Sequence, residues 1–152
     1  MFAVLSASVA PAVALMSFFY LKDRYAEPLP LIIKMFLWGV LLVLPIMFMQ
    51  YAIAQEGWIQ NGVFQSFIVS GFFEEFFKWF IFIYMIYHHT EFDTHYDGIV
   101  YAVAISLGFA TFENVLYLMT NGLKYALTRA IFPVSSHALF GLLWVITLGK
   151  PK

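Results

Sequence analysis

Residues 63–87 read VFQSFIVSGFFEEFFKWFIFIYMIY, and how this stretch is read decides the fold. It exceeds the roughly 20 apolar residues a helix needs to cross a bilayer, and it contains no proline. Yet Glu74, Glu75 and Lys78 stand near its middle. Placing a charge in hydrocarbon costs about 2.5–3.5 kcal/mol per residue even on lenient insertion scales, so such residues turn toward a partner helix or a wet cavity. Lipid offers nothing to open backbone groups, which makes the segment a helix. On a helix Glu74 and Lys78 are i,i+4 neighbours and Glu75 and Lys78 are i,i+3, so one ammonium reaches either carboxylate. The other carboxylate then suits acid–base chemistry.

The rest of the chain agrees with this reading. Hydrophobic residues make up 62% of its 152 positions and charged residues only 11%, against about a quarter charged in a soluble domain. The expectation is an all-α, polytopic membrane helix bundle of about five transmembrane helices, forming one transmembrane domain over 1–152. The spans fall at about 2–21, 31–54, 63–87, 98–119 and 131–148. No internal repeat is visible. The first segment has no basic leading region and no small-residue cleavage site, so it reads as a retained helix and not a signal.

Lys22, Arg24, Lys34, Lys150 and Lys152 fall on one side of this arrangement, and Lys124 and Arg129 on the other. Basic loops stay cytoplasmic, which puts the N-terminus outside and the C-terminus inside. A net charge of −1 gives no field for nucleic acid. The absence of cysteine excludes thiolate catalysis and thiolate metal sites.

Two further polar groups lie inside apolar segments. Residues 109–114, FATFEN, carry Glu113 and Asn114; Asn114 suits either an oxyanion donor or a helix cap. Residues 129–141, RAIFPVSSHALFG, place His137 about one turn after Pro133, where an imidazole can be base, donor or ligand. At about 1.5 Å per residue, Glu74 lies roughly 16 Å below the outer face and Glu113 and His137 roughly 9 Å. All three are thus expected to meet in one cavity. His88, His89, His95 and Asp97 invite a metal reading, but a hydrated connector explains them without one.

Glu74-Glu75-x-x-Lys78, Asp97-Gly98, Phe109-x-x-x-Glu113 and Ser136-His137-Ala138-Leu139-Phe140-Gly141, in this order, resemble the PrsW family of bacterial intramembrane proteases. Those proteins look related to the CAAX-processing and bacteriocin-immunity membrane proteases. In that wider pattern a late His-x-x-x-Asn supplies an amide, whereas Gly141 stands at that position here. Asn114 or a backbone group would take its place.

The resemblance implies a multi-pass protein of the bacterial cell membrane. Its substrate would be a single-pass membrane protein such as an anti-sigma factor, cut at its first site. Glu74 or Glu75 is then expected to be the general base, with Glu113 positioning the water. Lys78 would hold the unused carboxylate, and His137 would serve the oxyanion or the leaving amine. No cofactor is favoured. The nearest alternative is a zinc site of Glu74, Glu113 and His137. A proton-coupled transporter and a non-catalytic membrane binding protein remain open alongside it.

Overall fold

The computed structural model describes residues 1–24, 26–56, 62, 71–90 and 92–148. Among these the chain is helical, with α1 at Phe2–Lys22, α2 at Leu29–Glu56, α3 at Phe73–Met85, α4 at His95–Asn121 and α5 at Leu123–Thr147. Four of the five, α1, α2, α4 and α5, are long and apolar enough to cross a membrane. Residues 63–70, which the sequence places in the third span, lie outside the described residues.

α4 is the axis of the bundle. Its apolar window is 72% buried, against 11% for α1, 28% for α2 and 22% for α5, and those three helices pack around it. Small residues make this possible, because without a hydrophobic drive between helices in lipid, close backbone approach supplies the attraction. A Cβ on Gly39 of α2 would stand 2.0 Å from the Ile105 carbonyl oxygen, and one on Gly108 of α4 would stand 2.0 Å from that of Phe36. Only glycine fits at either point. The outer faces are lipid-facing in character, with Leu41 and Phe48 of α2 more than half exposed.

α3 is amphipathic, and the split is sharp. Lys78 and Phe82 point inward and are fully buried, whereas Phe76, Phe80 and Tyr84 point out at four-residue spacing. The polar cluster of the third segment therefore faces the bundle.

Two boundaries differ from the sequence reading for physical reasons. α4 begins at His95 and not at 98, because Thr94 and Asp97 form a capping box: the Thr94 amide donates to Asp97 Oδ2 at 2.6 Å and the Thr94 hydroxyl accepts from the Asp97 amide. Asp97 is consequently buried in the first helical turn and not in a hydrated loop. The segment 123–130, expected as connector, is already helical. Gly122, at φ +89°, is the break before it.

Within α5 a 3₁₀ turn, Leu123–Tyr125, leads into a short α-helical stretch, Ala126–Arg129. A wide π turn, Ala130–Val134, then precedes the regular helix Ser135–Thr147. Pro133 sits in the wide turn, where its missing N–H is least disruptive.

Candidate active site

α3, α4 and α5 bring the expected residues together. Lys78 Nζ donates to Glu75 Oε1 at 2.6 Å and to His137 Nδ1 at 2.8 Å. Its position over the Phe109 ring, 4.2 Å from the centroid, adds a third favourable contact. On the far side of the imidazole, His137 Nε2 lies 3.5 Å from Glu113 Oε2. His137 thus bridges a carboxylate of α3 and one of α4. Glu75 Oε2 also accepts from the Trp144 indole at 3.3 Å.

Of the two carboxylates that Lys78 can reach by spacing, the structure pairs it with Glu75. Glu74 turns toward α2, where its Oε1 accepts from the Gln50 amide at 3.0 Å. Among the described residues, Glu74 is in no ion pair that taking up a proton would break. Glu113 is held from the other direction, with its Oε2 accepting from Arg129 Nη2 at 3.1 Å. Arg129 Nε donates to Asn114 Oδ1 at 2.7 Å, so Asn114 serves the guanidinium.

An ammonium has no lone pair and can only donate. His137 Nδ1 also lies 3.3 Å from Glu75 Oε1; in its neutral form the ring accepts from Lys78 on Nδ1 and so carries its proton on Nε2, facing Glu113. The site consists of three carboxylates, two cations and one imidazole donor in largely desolvated surroundings.

Two cavities border it. One of about 300 Å³ lies between α2, α3 and α4 and is lined by Gln50, Glu74, Glu113, Tyr117 and Thr120 on a floor of Val43, Met47, Phe109 and Leu116. The other, about 320 Å³, is lined by Gly71, Phe72, Glu74, Glu75, His137 and Phe140. Glu74 belongs to both. Each has room for several waters, whose share of liquid volume is about 30 Å³ apiece.

Gly141 faces elsewhere. A Cβ there would stand 2.6 Å from Ser106 Oγ and 3.1 Å from the Ala102 carbonyl oxygen, so the position is a tight α4–α5 contact with no space for an amide side chain.

Two of the three residues expected to hold zinc, Glu113 and His137, are already in contact with protein cations. Lys78 lies against Glu75 and His137 Nδ1. Arg129 likewise neutralises Glu113. Among the described residues, the one set of three acidic or imidazole groups with ligand atoms within 4.8 Å of one another is Asp23, Glu27 and Asp97, near the other end of α4. There the Tyr101 hydroxyl donates to Glu27 Oε2, and burial pushes the Glu27 carboxyl up to about 7.

Gln50, Arg129 and Trp144 are site residues that sequence reasoning did not single out. Gln50 carried the clearest signal, as an amide inside an apolar span.

The family model described as "PrsW family intramembrane metalloprotease" matches residues 27–152. Protease PrsW of Oceanobacillus iheyensis is 59% identical over 152 residues, covering all of this chain and 71% of that protein. Protease PrsW of Bacillus subtilis is 51% identical over 153 residues, covering all of this chain and 70% of that one. Protease PrsW of Clostridioides difficile is 33% identical over 140 residues, 86% of this chain and 58% of that protein. No solved structure matches the chain.

Proposed function

Since the chain belongs to the PrsW family of intramembrane proteases, we propose that it hydrolyses a peptide bond with a water activated by Glu74 rather than by a metal. The observation that carries this reading is the shared cavity. Glu74 and Glu113 line the same space, and the protonated nitrogen of His137 faces Glu113 from the other side.

In this mechanism a water in the cavity is oriented by Glu113, gives a proton to Glu74 and attacks the scissile carbonyl carbon. Charge then develops on the carbonyl oxygen. His137 Nε2–H is the donor placed to stabilise it, and the proton taken up by Glu74 passes to the amine as the C–N bond breaks. Lys78 neutralises Glu75 and fixes the ring. No covalent intermediate is needed.

By the family resemblance, the substrate is a single-pass membrane protein such as an anti-sigma factor, and the cell membrane is the site of cleavage. The printed family description says "metalloprotease". What supports the glutamate reading against a zinc-bound Glu74, Glu113 and His137 is that fixed cations already contact two of these residues.

The deciding experiment is cleavage of a single-span substrate by the purified chain in lipid nanodiscs. Glu74→Asp withdraws the carboxylate by one methylene and is expected to lower kcat by about 100-fold while insertion stays normal. Full activity in that variant would remove Glu74 from the mechanism.

A further inference from the structure

Arg129 lies eight residues before His137, yet the two converge on one oxygen, Glu113 Oε2, at 3.1 and 3.5 Å. On a regular α-helix, at 3.6 residues per turn, side chains eight apart diverge by about 80°. The π turn Ala130–Val134 lies between them, and its i→i+5 bonding absorbs about one extra residue, which reduces the divergence to about 20°. One irregular turn thus puts both groups on the face that meets α4.

The grip on the guanidinium is specific. Its Nη2 and Nε donate to Glu113 and Asn114, and its central carbon lies 4.4 Å from the Tyr117 ring centroid. Three side chains of α4, at positions i, i+1 and i+4, therefore hold a planar fork that lysine cannot reproduce. Glu113 and Tyr117 both line the α2–α3–α4 cavity.

We infer that Arg129 is a positioning residue of the hydrolytic site: delivered by the π turn, it fixes Glu113 between the imidazole and the cavity, so that this carboxylate presents one constant geometry to the water. A clamp that merely joined α4 to α5 would need no oxygen shared with His137. The inference rests on the proposed glutamate-based hydrolysis, in which Glu113 orients the water.

The test compares R129Q, R129K, E113Q and R129Q/E113Q, as full chains in nanodiscs, on a single-span substrate that the unaltered chain cleaves. R129Q is expected to lower kcat by about 100-fold, the cost of a misplacement of about 1 Å, with KM and the thermal midpoint little changed. R129K should recover about a tenth of the unaltered rate, as charge without the two-point fork. In the E113Q background, R129Q should cost no further activity, because both act through one group.

Unaltered kcat in R129Q, or losses that multiply in the double variant, overturns the positioning role even if E113Q is impaired. A loss in R129Q matched by a lowered thermal midpoint, with R129K fully active, reduces Arg129 to a structural clamp and overturns it too. Unaltered activity in E113Q overturns the water-orienting reading of Glu113 and the inference with it.

Discussion

Lys78 Nζ stands 2.8 Å from His137 Nδ1, so a fully buried ammonium dictates which nitrogen of the imidazole carries the proton. Replacing Lys78 by Met leaves Glu75 without its cation and the ring without its donor. Breaking a buried pair in this way is expected to cost about 3 kcal/mol, the low end of the usual range because Glu75 keeps some exposure. Thermal unfolding in detergent reads that loss. Nitrogen NMR of the labelled ring should show the Nε2–H form in the unaltered chain and a mixture in K78M. A ring protonated on Nδ1 in the unaltered chain would contradict the assigned hydrogen bond.

The α2–α4 crossing predicts a steep response to single methyl groups. G108A puts a Cβ where a carbonyl oxygen already is, and the helices must separate, at about 1–3 kcal/mol. Gly62, with open space around it, is the control: G62A should be near neutral by the same unfolding measurement. Equal midpoints for G108A and the unaltered chain would refute the close approach.

The Glu27 carboxyl, in the connector between α1 and α2, predicts a pH dependence of stability. Desolvation raises it from 4.5 to about 7, and the groups facing it are Asp23, Asp97 and the Tyr101 hydroxyl. The folded state thus holds a proton that the unfolded chain releases between pH 4.5 and 7. This contribution is present in full below about 4.5 and is lost as pH rises through 7. E27Q, which stays neutral, is expected to flatten the midpoint-against-pH curve over that window. A midpoint that instead rises with pH through this region in the unaltered chain, and does so because of Glu27, would reverse the sign.

Metal removal gives a further check on the hydrolytic chemistry. Cleavage is expected to persist after exhaustive chelation, in protein whose zinc content falls well below one per chain. Activity lost on chelation and restored by zinc alone would transfer the reaction to the zinc alternative.

The apolar spans and the inward cluster of α3 were legible because burial cost and helical spacing are properties of the sequence itself. Glu74, Glu75, Lys78, Glu113 and His137 were all marked in this way, and the structure gathers them. Arg129 was not, since a cation beside Thr120, Asn121 and Lys124 scores as a loop until its partner on α4 is known. Gln50 escaped because one amide hardly changes the hydropathy of so apolar a span. By polarity Asp97 scores as a loop acid, although Thr94-x-x-Asp97 is a capping pattern. In each case the missing information was a neighbour distant in sequence, or a short local pattern outweighed by polarity.

The wrapping of α4 also sets a timetable for biosynthesis. Glu113 emerges from the ribosome sixteen residues ahead of Arg129, an interval of about 1–3 s at usual elongation rates. Throughout it, Glu113 has been made and its partner Arg129 has not. A nascent chain halted between these two positions should therefore be held back at the insertion machinery, and released into lipid only once α5 follows.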